Sequence, residues 1–357
     1  MAFITLNVRK LKENHQTLDH LFQSKDIEWS PVAKLLCGNK LYLKELIDLG
    51  INQICDSRVT NLRAIRSLDK NIEIVYIKPP AKRSIKSIVK LADVSFNTEY
   101  ETIKMLSEAA GELNKIHKVV IMIELGELRE GVLREEFVDF YEKVFRLPNI
   151  EVVGIGTNLT CMYGVLPNDD KLIQLSLYTQ LIEAKFNRKI PYISGGASVT
   201  IPLIERGLLP KGINHFRVGE TLFLGTDVYN NTSFEGMHND VFKLYAEIIE
   251  LNEKPTVPSG ELGYNLTNEK TEIDESQYGE STLRAIVDIG LLDIEPNHLT
   301  PIDDHIEIIG ESSDMLVLDL GSNRDNKKVG DLIRFKMDYM GVLRIMNSPY
   351  IEKRLEH

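Results

Sequence analysis

Along the first 225 residues, runs of apolar and largely β-branched residues alternate with segments whose apolar positions recur at three- and four-residue steps. The runs fall at 28–34, 52–56, 72–78, 93–97, 118–125, 151–159, 191–195 and 215–219, and each predicts a strand. Between them, stretches such as Lys40-Leu-Tyr-Leu-Lys-Glu-Leu-Ile-Asp-Leu and Glu101-Thr-Ile-Lys-Met-Leu-Ser-Glu-Ala-Ala predict amphipathic helices. The strands are apolar on both faces, as a parallel sheet covered on both sides requires. Eight strand–helix units of this kind fit a closed (β/α)8 barrel of the TIM type better than an open sheet.

After about residue 232 the rhythm changes. Segments such as Phe242-Lys-Leu-Tyr-Ala-Glu-Ile-Ile-Glu-Leu, His305-Ile-Glu-Ile-Ile-Gly and Met315-Leu-Val-Leu-Asp-Leu are separated by loops rich in Pro, Gly, Asn and Asp, and helical periodicity largely disappears. Short strands divided by turn signals predict a mainly β C-terminal domain. The expected division is a barrel over residues 9–232 and a β-rich domain over 233–354, with the N-terminal strand 1–8 pairing into the second domain. Residues 355–357 read as the remnant of an affinity-tag junction.

Composition narrows the function. The chain has 357 residues, 43% hydrophobic and 27% charged, enough to bury a barrel of roughly 250 residues and a smaller module. Its formal net charge of −11 argues against binding to nucleic acid or to an anionic membrane, and leaves small cationic or zwitterionic molecules as ligands. No apolar run approaches a membrane span, and the first residues read as a strand without an h-region or cleavage site, so a cytoplasmic location is expected. Cys37, Cys55 and Cys161 are odd in number and far apart, which predicts free thiols and no metal.

Active sites of β/α barrels lie at the C-terminal ends of the strands. There the first strand ends on Lys34, the fifth runs into Glu124-Leu-Gly-Glu127-Leu-Arg129, and the sixth into Asn158-Leu-Thr-Cys161. The seventh runs into Ser194-Gly195-Gly196-Ala-Ser198 and the eighth into Arg217-Val-Gly219-Glu220. Glycine-bearing loops on the last two strands are where barrels often bind phosphate, because backbone amides can approach it closely. A reactive lysine opposite a phosphate site specifies a phosphorylated cofactor that reacts with an amine, and pyridoxal 5'-phosphate (PLP) meets that description.

On these segments, with Val-Ala-Lys34-Leu-Leu-Cys-Gly-Asn and Gly-Ile-Gly-Thr-Asn158-Leu-Thr-Cys161, the chain resembles the alanine-racemase-like (fold type III) PLP enzymes. Within them it is most similar to ornithine racemases and related predicted amino-acid racemases. The resemblance implies that Lys34 bonds the cofactor's aldehyde as a Schiff base, that Arg129 hydrogen-bonds its phenolic oxygen, and that Asn158 lies against the ring. It places Ser194, Gly195, Gly196, Ser198, Tyr339 and the amides of Gly219 and Glu220 around the phosphate. Arg217 would face the pyridine nitrogen. A guanidinium does not give up a proton at ordinary pH, so the ring stays a weak electron sink, which suits racemisation better than transamination.

The resemblance also implies two bases, one on each face of the substrate Cα. Lys34 is one. The tyrosine that alanine racemases supply from a partner subunit, within a head-to-tail homodimer, falls here on Leu291, which cannot exchange a proton. Cys161 and Asp293 are the candidate replacements. Asp314, together with Glu124 and Glu127, would hold a cationic substrate side chain, which suits a diamino acid such as ornithine. Two other readings share the barrel: a metal-assisted D-threonine aldolase or D-serine dehydratase, for which only Asp303-Asp304-His305 hints at a metal site, and a non-catalytic PLP-homeostasis protein, which generally lacks a β domain.

Overall fold

The computed structural model describes residues 2–264, 268, 270 and 272–357. The chain forms two compact units, Arg9–Asn239 and Met1–Val8 with Asp240–His357. β1 (Phe3–Asn7) lies in the second of these, and α1 (Val8–Gln23) leads into the first.

The larger unit is an α/β barrel. Its strands are β2 (Glu28–Pro31), β3 (Gln53–Asp56), β4 (Glu73–Tyr76), β5 (Val94–Asn97), β6 (His117–Met122), β7 (Ile150–Gly156), β8 (Tyr192–Ser194), the two-residue β9 (Gly196–Ala197) and β10 (His215–Val218). β3 to β8 pair in sequence order and in parallel, while β10 pairs in parallel with β2 and β9. Two short links join these sheets into a ring. Val32 bridges Cys55 in parallel, and Asn214 bonds Ile193 twice, its amide donating to the Ile193 carbonyl at 3.3 Å and its side chain accepting from the Ile193 amide at 2.7 Å. Connecting helices α2 (Lys40–Ile47), α3 (Val59–Leu68), α4 (Ile85–Leu91), α5 (Tyr100–Glu112), α6 (Phe137–Val144), α7 (Asp169–Phe186), α8 (Ile201–Glu205) and α9 (Glu220–Leu224) follow the strands in turn, and a small hairpin, β11 (Thr226–Asp227) and β12 (Thr232–Ser233), closes the unit.

Val32, Cys55, Val75, Val94, Phe96, Val120, Met122 and Val153 pack together in one buried cluster, so the interior is filled as barrel cores are. Burial pushes the Cys55 thiol up to about 12, which makes it a small hydrophobe with no nucleophilic character. The observed strands are shorter than the apolar runs. The run at 28–34 ends as a strand at Pro31, and a 3-10 turn, Ala33–Leu36, takes over. Left-handed residues at Cys37 (φ 49°) and Gly38 (φ 75°) then turn the chain into α2, which Asn39 caps by accepting from the Tyr42 amide at 3.1 Å. Lys34 therefore sits one step beyond its strand, in a turn.

The smaller unit is built on β13 (Phe242–Pro255), β14 (Ser281–Val287), β15 (Leu299–Pro301), β16 (Glu307–Glu311), β17 (Leu316–Asp319), β18 (Leu332–Met337) and β19 (Glu352–Glu356). The sheet order is β15-β18-β13-β14-β17-β16, with each adjacent pair antiparallel. β1 adds to β13 antiparallel and to β19 parallel, and in that register Leu355 and Glu356 stand opposite Leu6 and Asn7. Along β18 buried Ile333, Phe335 and Met337 alternate with exposed Leu332, Arg334 and Lys336, the period-two pattern of a half-covered sheet. One helix departs from the expected all-strand rhythm. α10 (Tyr339–Asn347) starts where the Asp338 side chain accepts from the Gly341 amide at 2.8 Å, and it buries Val342, Ile345 and Met346. Among the described residues no helix is long and apolar enough to cross a membrane.

Candidate active site

Lys34 is exposed between buried Ala33 and Leu35, in the turn just past the C-terminal end of β2. On the adjoining strand, Asp56 ends β3 and is fully buried. It accepts from the Arg58 amide at 2.9 Å and from Asn61 Nδ2 at 3.1 Å on each oxygen. Burial pushes its carboxyl up to about 6 against these hydrogen bonds and the Lys34 charge. A sequence reading misses Asp56, although Asp56-Ser-Arg58-Val-Thr-Asn61 has the spacing of a carboxylate that turns a strand into a helix.

A pH dependence follows. Because the folded value lies above the ordinary 3.8, the wild-type protein loses stability as pH rises from the unfolded value through about 6. Asp56→Asn removes that loss, so between about pH 4 and pH 8 the variant is expected to gain on the order of 3 kcal/mol of unfolding free energy relative to wild type. Urea titrations of both apoproteins at the two pH values check this, and a difference that does not change with pH contradicts it.

Arg217 lies across the barrel interior on β10 and is 6% exposed. Its Nη1 donates to the Ser194 carbonyl at 3.0 Å and to Ser194 Oγ, and Nη2 donates to the Thr157 carbonyl at 2.8 Å. The guanidinium stacks 5.0 Å from the Phe96 ring. Among the described residues it forms no salt bridge, and the Glu130 charge acts on it from a distance. The Ser194 hydroxyl is thereby turned into the barrel, away from the phosphate role expected for it. Ser198 Oγ instead faces the first turn of α9 and accepts from the Thr221 amide at 3.3 Å.

The glycines here are required by packing. A Cβ on Gly196 would stand 2.2 Å from the Phe216 ring, and one on Gly219 would stand 3.2 Å from Val32, so both loops lie flat on the barrel wall. Gly195 is similarly close-packed, with a Cβ meeting Ile213 at 3.0 Å. Gly219 and Glu220 open α9, where first-turn amides have no intrahelical acceptor.

The loops after β6 and β7 bring Arg129, Asn158 and Cys161 together. With its oxygen toward the guanidinium, the Asn158 amide accepts from Arg129 Nη1 at 3.2 Å and from Nη2, and the same amide lies 3.5 Å from Cys161 Sγ. Arg129 is also paired with Glu130, a residue the sequence reading did not single out, and this partner raises its affinity for its proton further. Glu124 and Glu127 are engaged otherwise than expected. Glu124 accepts from the Gly126, Leu128 and Arg129 amides at 2.5, 3.0 and 3.3 Å. Glu127, 1% exposed, accepts from the amides of Thr160 (3.0 Å), Met162 (2.5 Å), Tyr163 (3.0 Å) and Val165 (3.1 Å). Burial works to raise the Glu127 carboxyl, but the four amides outweigh it and hold it below the ordinary carboxylate range. Both carboxylates thus shape the loops around Arg129 and Cys161 and do not present themselves to a substrate cation.

In the smaller unit, Asp293 Oδ1 accepts from the Ser348 hydroxyl at 2.6 Å. The Leu291 and Leu292 amides donate to the Ser312 and Ser313 carbonyls at 3.0 and 2.8 Å, so Leu291 and exposed Asp314 share one loop cluster. Tyr339 opens α10 and is half-buried. Asp303 is held by Lys327 at 3.2 Å and Arg334 at 3.0 Å, which commits the first carboxylate of the Asp303-Asp304-His305 run to ion pairs. Among the described residues no group of three or more His, Cys, Asp or Glu side chains is placed to hold a metal.

A (β/α)8 barrel with an exposed lysine just past its first strand, a buried arginine on its last and an appended β-sheet unit defines a class. Residues 6–227 match the family model for the alanine racemase N-terminal domain, and the chain belongs to that family. Within it, the chain is 38% identical over 353 residues to ornithine racemase of Acetoanaerobium sticklandii, covering 99% of both chains. It is 31% identical to lysine racemase of Thermotoga maritima, covering 99% of this chain and 98% of that protein. Among solved structures, alanine racemase of Clostridium difficile 630 superposes with a TM-score of 0.76 at 16% identity, covering 99% of this chain and 95% of that one. The protein is an amino-acid racemase by this kinship, with a barrel and a β domain.

Proposed function

We propose that the protein is a PLP-dependent racemase of a basic amino acid, ornithine first. The observation that carries this is an exposed Lys34 and a buried Arg217 that donates to backbone carbonyls and forms no salt bridge among the described residues, in a barrel whose full-length relatives include ornithine and lysine racemases. The residues present fit the cofactor. Lys34 would hold its aldehyde carbon, Arg217 would donate to its ring nitrogen, and Arg129 with Asn158 would hold its phenolic edge. Ser198, the flat Gly195–Gly196 loop and the Gly219 and Glu220 amides would take the phosphate. When bound, the cofactor supplies an electron sink for the Cα–H bond.

The protein's own groups move the proton. The Lys34 amine takes it from one face of Cα and returns it there for the opposite direction. On the other face Cys161 is the favoured partner, because its exposed thiol lies beside the Asn158 amide and the Arg129 cation, whereas the Asp293 carboxylate is held by Ser348. With Glu124 and Glu127 engaged by amides, Asp314 is the carboxylate left for the substrate's side-chain ammonium. Its loop, with that of Leu291, would enter a neighbouring subunit's site in a head-to-tail homodimer working in the cytoplasm.

Chiral chromatography of products from single amino acids tests the substrate class. L-Ornithine or L-lysine is expected to be turned over with a kcat/KM at least about 100-fold above that of L-alanine, since a site that pairs a substrate ammonium rejects a substrate lacking one. A preference for alanine contradicts the reading.

A further inference from the structure

The barrel interior carries a polar seam that none of the roles above uses. His215, two residues before Arg217 on β10, is buried, with Nδ1 2.7 Å from Ser194 Oγ. Its Nε2 lies 3.1 Å from Gln53 Oε1 and 3.4 Å from Ser30 Oγ. Ser30 also donates to Gln53 Oε1, and Gln53 Nε2 donates to Glu73 Oε2 at 2.5 Å. The other Glu73 oxygen faces Lys118 at 3.4 Å. The Tyr192 ring stands 5.3 Å from the imidazole.

The proton positions follow from the partners. Arginine has no acceptor atom, so Arg217 donates and Ser194 Oγ accepts. The Ser194 hydroxyl proton is then directed to His215 Nδ1, which must carry a lone pair. On the other side, the Gln53 amide nitrogen is committed to the Glu73 carboxylate, so Gln53 presents its oxygen and His215 Nε2 must carry the proton. Burial and the nearby Arg217 charge pull the imidazole down to about 3, so it stays neutral across the working range. The four hydrogen bonds Arg217–Ser194–His215–Gln53–Glu73 all donate in one direction, from the guanidinium to the carboxylate.

We infer that His215 is a positioning residue for the reaction: in its Nε2–H form it makes the Ser194 hydroxyl an acceptor, and so fixes the Arg217 guanidinium against the site. The seam ends on Glu73, which pairs with Lys118 at 3.4 Å, so no carboxylate of the seam touches Arg217 itself. A carboxylate in direct contact with the ring nitrogen would favour protonation of that nitrogen, whereas a remote one leaves the guanidinium as a pure donor. The inference rests on the reading in which Arg217 faces that nitrogen, and sharpens it by naming what holds the arginine.

Two measurements test it. In the apoprotein labelled with 15N-histidine, the His215 ring, identified by the signals absent from His215→Asn, is expected to show the neutral Nε2–H tautomer unchanged from about pH 6 to pH 9. An Nδ1–H tautomer, or protonation within that range, overturns the inference whether or not the enzyme racemises anything. In the holoenzyme, His215→Leu is expected to lower kcat between about 10- and 100-fold, with KM within about threefold of wild type. A measurable share of turnovers would be diverted into transamination, converting bound cofactor to its amine form. Ser194→Ala, a smaller change, is expected to give the same signature where His215→Leu fails to fold. Folded variants that keep the wild-type kcat and produce no transamination contradict the positioning role. Wild-type protein that racemises no amino acid, with the tautomer as stated, contradicts the functional reading and leaves the seam in place.

Discussion

Lys34→Ala is expected to lower racemisation by at least about 10⁴-fold while leaving the fold unchanged, because on the proposed function it removes both the amine that bonds the cofactor and one of the two proton carriers. The side chain is exposed, and the turn that carries it is set by Cys37, Gly38 and the Asn39 cap, so little packing is lost. Lys34→Arg is expected to be equally inactive, since a guanidinium keeps the charge but does not release a proton at working pH. Borohydride treatment separates this from simple loss of cofactor affinity. Wild-type protein is expected to retain the cofactor covalently on the peptide containing Lys34, and both variants to release it on denaturation. A variant that still fixes the cofactor and racemises shows that another lysine does this work.

Glu127→Ala is expected to be the most damaging substitution in the barrel loops. Four backbone amides, of Thr160, Met162, Tyr163 and Val165, lose their shared acceptor, the buried Glu127 carboxylate, at once. A hydrogen bond to a charged group contributes about 1.5–3 kcal/mol, and because amides on this part-exposed loop can bond water instead, the sum is on the order of 4 kcal/mol. The loop also holds Thr160 at φ 77°, a conformation that a β-branched residue does not keep without support, so its release would carry Cys161 away from Asn158 and Arg129. The expected outcome is a Tm lowered by roughly 10 °C together with a fall in kcat of at least about 10-fold. Glu127→Gln, which keeps an acceptor and loses the charge, is expected to fall between the two proteins on both measures. Thermal unfolding and steady-state kinetics on the three proteins check the order. An unchanged Tm in Glu127→Ala would show that the loop stands without the carboxylate, and would leave Glu127 open to a substrate.

The hydrophobic pattern made the architecture legible because parallel strands buried on both faces leave apolar runs that alternate regularly with amphipathic helical segments. Those runs overstate the strands: the run ending at Lys34 is apolar through a 3-10 turn that is buried on either side of the lysine, and burial alone does not distinguish the two. α10 was hidden among strand signals because its only sequence mark is the Asp338 cap ahead of Val342, Ile345 and Met346. The lysine, the arginine and the glycine loops could be placed from strand order alone. The partners of these residues could not. Glu124 and Glu127 read as acidic groups near a site, and only the path of the loops turns them onto backbone amides. Ser194 read as part of a phosphate loop, and its register opposite Arg217 and His215 gives it to the interior instead. Ser30, Gln53, Glu73 and His215 come from four neighbouring strands that are far apart in sequence, and no spacing rule joins them.

Incubating the holoenzyme with L-ornithine in heavy water, and following optical rotation and Cα deuterium together, tests the central claim most directly. Racemisation through Lys34 and a second base predicts that rotation decays to zero, with deuterium entering Cα as it does so and a 1:1 mixture of enantiomers at the end. Rotation and Cα–H that both persist for ornithine and for a full panel of amino acids, in protein that retains its cofactor absorbance, would contradict it.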